Sequence, residues 1–222
     1  MNRKKIAIIV AGGKGERMNT AIPKQFLELS GKPILMHTIE CFHAFDAEMQ
    51  IIVVLPSSQF EFWDELCKKH NFQIKHQLVA GGDARFYSVK NALDTISEES
   101  LIAIHDGVRP LIDSGTIERC FAEAERSGAA IPVIDLIDSI RKLKTGKSKA
   151  VNRSDYKLVQ TPQMFKSEII LKSYEQNFSE AFTDDASVVE AAGYSVNLVE
   201  GTRENIKITT TLDLKLAEAF LI

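Results

Sequence analysis

The chain has 222 residues, of which 45% are hydrophobic and 26% charged, and 30 acidic against 27 basic side chains leave a formal net charge of −3. This composition suits one globular domain, spanning residues 1–222, with a sizeable core, and it excludes a disordered chain. The near-neutral charge argues against a general nucleic-acid or membrane-surface binder, which needs a basic excess.

At the amino end, Met1-Asn2-Arg3-Lys4-Lys5 before Ile6 to Ala11 imitates a signal peptide. The apolar part is shorter than the roughly 7–15 residues such a region needs, so a first strand is expected over Ile6 to Val10. Further β-branched runs at Ile51 to Leu55, Ile74 to Val79, Leu101 to Ile104 and Ala130 to Val133 read as strands. Between them, Ile34, Leu35, Thr38, Ile39, Phe42 and Phe45 recur at helical intervals, as do Val89, Ala92, Leu93 and Ile96, then Ile117, Cys120, Phe121 and Ala124. This alternation predicts an α/β fold, a mostly parallel sheet with helices on both faces. The best apolar run, Met49 to Pro56, falls far short of the roughly 20 residues of a spanning helix.

From Asp138 to Gln163 the sequence turns polar, with Lys142, Lys144, Lys147 and Lys149 crowded around Gly146. Such a stretch buries little by itself and predicts a two-stranded projecting arm, stabilised by packing on another subunit. Helices are then expected near Lys166 to Asn177 and Asp184 to Ala192, strands near Val196 to Val199 and Ile206 to Ile208, and a last helix from Leu212. The cysteines, Cys41, Cys67 and Cys120, are odd in number and widely spaced, which suits neither a disulfide framework nor a zinc site and points to a reducing, cytoplasmic compartment.

Ligands of open α/β sheets bind beyond the carboxyl ends of the strands, which directs attention to the loops there. In Ala11-Gly12-Gly13-Lys14-Gly15-Glu16-Arg17-Met18 the glycines let backbone N–H groups face a phosphate closely. Met18 stands where the dinucleotide fingerprint needs its last glycine, and the Gly-Lys-Ser/Thr of Walker A is absent, so this is a different kind of nucleotide loop. Arg17 and Lys24 flank the same turn and would meet a triphosphate with a guanidinium and an ammonium. Gly81-Gly82-Asp83, with Ser88 one turn into a helix, suits reading the edge of a base, although by itself it also reads as a plain capped helix. Asp106, ending a strand beside cations and phosphates, is where Mg²⁺ is expected. The five histidines, His105 among them, show no ligand spacing.

Taken in order, Ala-Gly-Gly-x-Gly-x-Arg-Met with Pro23-Lys24-Gln25-Phe26, Gly81-Gly82-Asp83 with Ser88, His105-Asp106-x-x-Arg109-Pro110, Thr161-Pro162-Gln163, Thr183-Asp184-Asp185-Ala186-Ser187, and Glu200-Gly201 with Asn205-Ile206-Lys207 resemble the 2-C-methyl-D-erythritol 4-phosphate cytidylyltransferases over nearly the whole chain. The resemblance implies a Rossmann-like nucleotidyltransferase fold and transfer of the cytidylyl group of CTP to a polyol phosphate, with Mg²⁺ or another divalent cation. It implies catalytic roles for Arg17, Lys24 and Lys207, and nucleotide binding by Ala11, Gly12, Gly13, Gly15, Gly82, Asp83 and Ser88. For the acceptor it implies Asp106, Ser139, Arg153, Thr161 and Thr183, with Ser139 and Arg153 on the arm reaching the active site of the other subunit of a homodimer. Gly107 and Val108 depart from the Ala-Ala pair common in the family, and Ser139 from a frequent threonine. Ribitol 5-phosphate cytidylyltransferases share several of these blocks and are the principal alternative.

Overall fold

The computed structural model describes residues 3–13 and 22–221. Gly15 and Arg17 lie outside the described residues. In chain order the elements are β1 (Lys4–Val10), β2 (Glu28–Leu29), β3 (Lys32–Pro33), α1 (Ile34–Phe45), β4 (Gln50–Leu55), α2 (Phe60–Lys69), β5 (Gln77–Ala80), α3 (Arg85–Leu93), β6 (Ser100–Asp106), α4 (Ser114–Ser127) and β7 (Ala129–Asp135). There follow β8 (Arg141–Lys144), β9 (Lys147–Ala150), β10 (Lys157–Val159), β11 (Gln163–Lys166), α5 (Ser167–Ser173), α6 (Asp185–Ala191), β12 (Asn197–Glu200) and α7 (Thr211–Phe220).

Among the described residues the main sheet has eight strands in the order β10-β7-β11-β6-β1-β4-β5, with β12 also paired to β7. The run β6-β1-β4-β5 is parallel, with Ile8 opposite both Ile104 and Ile52, whereas β11 enters antiparallel between β6 and β7. Strands covered on both faces must be apolar on both, which is why β1 and β6 read as continuous hydrophobic runs. The side chains divide by parity. Ile9, Val53 and Leu55 face a core shared with Leu35, Phe42, Trp63 and Phe121 from α1, α2 and α4. Ile8, Ile52 and Val54 face the opposite core, with Phe86, Val89, Ile170 and Val188 from α3, α5 and α6. The expected architecture of a mostly parallel sheet with helices on both faces is therefore present.

Several boundaries differ from expectation. Helix α2 was not among the expected elements; its apolar residues Phe60, Phe62, Trp63, Leu66 and Cys67 are interleaved with five charged ones, and only Trp63 is fully buried. The third strand starts at Gln77 rather than Ile74, and α5 stops at Ser173 rather than near Asn177. Among the described residues no ladder forms at 206–208; the Ile208 N–H donates to the Val108 carbonyl at 2.9 Å. The polar stretch is also shorter than 138–163. Strands β8 and β9 form a separate exposed hairpin, and Thr145 and Gly146 at its tip, with φ of 45° and 76°, give the doubly left-handed turn that suits a two-residue hairpin. Residues 157–166 belong instead to the main sheet as β10 and β11, because Gln160 to Phe165 is a buried run that the arm could not have covered.

Candidate active site

The carboxyl ends of β1, β4, β5 and β6 converge on a cleft of ≈ 600 Å³. Ladder bonds continue one residue past three of these strands, Ala11 N–H to the Val54 carbonyl, Gly81 N–H to that of Leu55 and Gly107 N–H to that of Val10. Each loop thus leaves the sheet from a fixed point. Of the expected residues, Ala11, Gly12, Gly13, Lys24, Gly82, Asp83, Ser88, Asp106 and Lys207 all line this cleft. A larger open groove of ≈ 970 Å³ at the amino ends of β4 and β5, beside His43, His70 and Phe72, contains none of them.

Lys24 begins a 3-10 turn whose next two residues are buried. Gln25 donates to the Gln59 side chain at 2.8 Å, and Phe26 stacks on Trp63 at 6.0 Å. These anchors explain why the lysine sits in a Pro-Lys-Gln-Phe block: the two residues after it hold its stem against Gly13, where a Cβ would lie 3.9 Å from Lys24 Cε. The loop after β5 is tied by Ser88, whose hydroxyl accepts the Gly82 N–H at 3.1 Å and lies 3.1 Å from the Ala84 carbonyl. Gly82 has no room for a side chain, since a Cβ there would stand 2.5 Å from Tyr87 Cβ.

Asp106 occupies the floor with 8% exposure. Lys207 Nζ lies 3.0 Å from its Oδ2, and Arg109 Nε donates to the same oxygen at 3.2 Å. Burial alone would raise this carboxyl, but Lys207, Arg85 and Arg109 outweigh it and hold the group well below the usual carboxylate range. The segment carrying Lys207 is fixed from both sides. Asn205, fully buried, donates to the Thr161 carbonyl at 2.8 Å, and its own carbonyl accepts from Arg109 at 2.8 Å.

Thr161 is only 6% exposed, and its hydroxyl is engaged within the protein. His105 Nε2 lies 3.1 Å from the Arg109 carbonyl, which can only accept. Nε2 therefore carries the proton, and Nδ1 accepts from the Thr161 hydroxyl at 3.1 Å. The same hydroxyl oxygen accepts the Asp106 backbone N–H at 3.1 Å. Burial pushes His105 down to about 4, so the imidazole is neutral at pH 7. His105 thus supports the residue next to it rather than contacting the cleft.

Other expected residues are not gathered into the cleft. Thr183 is exposed just before α6, while Ser139 and Arg153 are exposed on the polar segment around the hairpin, where Arg153 donates to the Ile137 carbonyl. The blocks containing Thr161 and Thr183 are nonetheless joined: Gln163 donates to Asp184 at 2.8 Å and accepts the Ala186 N–H at 2.8 Å, next to the capping box of Asp184 and Ser187. Sequence reasoning assigned no role to Arg85, Arg109 or Asn205, although Arg109 and Asn205 stand inside the quoted motifs, near Asp106 and Lys207, and Arg85 lies between Asp83 and Ser88. The Gly107 departure has a packing reason, since a Cβ there would meet Ala11 Cβ at 2.9 Å, while Val108 fills the neighbouring cluster with Leu29, Ile34 and Ile208.

The family model of IspD, 2-C-methyl-D-erythritol 4-phosphate cytidylyltransferase, matches residues 5–222. The chain belongs to this family. The methylerythritol phosphate cytidylyltransferase of Bacteroides fragilis is 56% identical over 215 residues, covering 97% of this chain and 98% of the relative. That of Phocaeicola vulgatus is 52% identical and covers all of both chains. The crystal structure of the enzyme of the same name from Francisella tularensis matches with a TM-score of 0.82 at 30% identity, over 97% of this chain and 99% of that one. The ribitol phosphate alternative is not favoured, because the family model and these relatives carry the methylerythritol name. Membership agrees with the cleft described above, a glycine-rich loop opposite a cation-bound carboxylate.

Proposed function

We propose that the chain transfers the cytidylyl group of CTP to 2-C-methyl-D-erythritol 4-phosphate, giving 4-diphosphocytidyl-2-C-methyl-D-erythritol and pyrophosphate for isoprenoid biosynthesis. The observation that carries this reading is the convergence of Lys24, Lys207 and the Gly12–Gly13 backbone on one cleft beside Asp106, in a member of this family. A phosphate oxygen of the acceptor attacks the α-phosphorus in line, and pyrophosphate leaves. Two anions meet in that step, so alignment and charge neutralisation are required and a covalent protein nucleophile is not. Lys24 and Lys207 supply fixed positive charge at the reacting phosphates, with Arg17 as the third cation of the motif. Gly82, Asp83 and Ser88 receive the cytosine.

The donor set at Asp106 fits a divalent cation of the Mg²⁺ type, which takes one or two carboxylates and completes its shell with substrate phosphates and water. Among the described residues no group of three or more His, Cys, Asp or Glu is arranged to hold a metal, so Asp106 would hold the ion together with the triphosphate. When bound, that ion neutralises phosphate charge. We further propose a homodimer in which the hairpin segment bearing Ser139 and Arg153 completes the acceptor pocket of the partner subunit. Its support is that both residues are exposed and lie outside this chain's own cleft. Phosphorus NMR of a reaction containing CTP, Mg²⁺ and the acceptor tests the chemistry. A pair of coupled diphosphate resonances from one unsymmetrical diester is expected, whereas CMP or CDP with unchanged acceptor would contradict transfer.

A further inference from the structure

Helix α3 begins at Arg85, directly after the nucleotide loop Gly81 to Ala84, and its guanidinium reaches across to α6. Nη1 donates to Asp185 Oδ1 at 2.9 Å and Nη2 to Oδ2 at 2.6 Å. Asp185 is fully buried, and its Oδ1 also accepts the Tyr174 hydroxyl at 2.7 Å. The following residue, Phe86, stacks on Tyr174 at 4.7 Å and on Phe182 at 5.8 Å, while Lys90 donates to the Tyr174 carbonyl at 2.9 Å. Helix α3 therefore carries the nucleotide loop at its start and grips the segment 174–187 along its side. Arg85 also lines the cleft, with 31% of its side chain exposed.

A buried carboxylate needs its cation and its hydrogen bonds to stay in place, so the start of α6 follows the position of the fork. Thr183 stands two residues before Asp185. We propose that Arg85 is a positioning residue for the phosphorylated acceptor: through Asp185 it sets the Thr183 loop relative to the nucleotide loop. This rests on the reaction proposed above and on Thr183 serving the acceptor. A lysine cannot replace the fork, because one ammonium does not span both carboxylate oxygens in plane.

Arg85→Lys keeps the charge and loses the fork, while Asp185→Asn keeps the shape and loses the charge. In steady-state kinetics with CTP and 2-C-methyl-D-erythritol 4-phosphate, each variant is expected to raise the acceptor KM by about tenfold and leave the CTP KM within about twofold. An equal rise in CTP KM for Arg85→Lys would overturn the proposal and make Arg85 a direct nucleotide contact. A fall in kcat with both KM values unchanged would also overturn it, since that is the mark of a smaller folded fraction. Arg85→Lys carries the comparison alone if Asp185→Asn does not fold. Wild-type protein assayed alongside separates the failures: no wild-type product overturns the reaction and with it the proposal, whereas wild-type turnover with an unaffected acceptor KM in Arg85→Lys overturns the role of Arg85 only.

Discussion

Asp106 takes two cations on one oxygen, and its own backbone N–H is held by the Thr161 hydroxyl, so the positive charge beside it is fixed before any substrate arrives. In the proposed reaction Lys24 and Lys207 would act most strongly where charge is greatest, in the transition state. Lys24→Ala and Lys207→Ala are each expected to lower kcat by about 10²–10³-fold with smaller changes in KM, the size found for removing one preorganised donor elsewhere. Steady-state rates that stay within a few-fold of wild type would remove those lysines from the mechanism. His105 predicts a pH dependence of stability. Folding holds it near 4, below its ordinary 6.5, so between those values the unfolded chain binds the extra proton and stability falls as pH drops, by roughly 3 kcal/mol across the window. His37, also pushed down by burial, adds in the same direction. The Asp106 contribution has the same sign but is lost only below about 3.8, which leaves the window above pH 4 to the histidines. Urea midpoints should therefore fall from pH 7 to pH 5, and equal midpoints would mean that His105 is not buried as a neutral ring.

The loops owe their placement to the strands before them and the packing behind them. Gly82→Ala would put a Cβ 2.5 Å from Tyr87 Cβ and 3.3 Å from the Tyr87 carbonyl carbon, atoms of a helix that cannot yield. The loop must shift instead, and its N–H bond to Ser88 lengthens. The CTP KM is expected to rise about tenfold with the acceptor KM little changed, and an unaltered CTP KM would mean that this loop does not read the base. Elements with a strong apolar period were legible in the sequence: β1, β4 and β6 as continuous buried runs, α1 and α4 as faces with three- and four-residue spacing. Helix α2 was not, since five of its ten residues are charged and only Trp63 of its apolar ones is buried. Nor was β11, whose Gln163 and Lys166 belong to the polar vocabulary of a loop although their neighbours Met164 and Phe165 fill the core. In the site, glycines and cations were legible because phosphate chemistry demands them at strand ends. The Thr161–His105 bond and the Arg85–Asp185 fork were not, because they join residues 56 and 100 positions apart with no local pattern to announce them.

Across the whole molecule, the exposed hairpin segment and the cleft are separate in one chain, and the homodimer proposed above would bring Ser139 and Arg153 to an acceptor through a shared site. Arg153→Ala and Lys24→Ala, each nearly inactive alone, should recover about a quarter of wild-type activity when mixed and allowed to exchange subunits, because half the dimers are mixed and each has one intact site. Mixtures no more active than the two variants apart would confine each site to one chain. The reaction itself is tested most directly by pyrophosphate release from CTP and Mg²⁺ with 2-C-methyl-D-erythritol 4-phosphate and ribitol 5-phosphate compared at matched concentrations. Release with the methylerythritol phosphate and not with the ribitol phosphate is predicted. Release with ribitol 5-phosphate alone, or with neither acceptor, would contradict it.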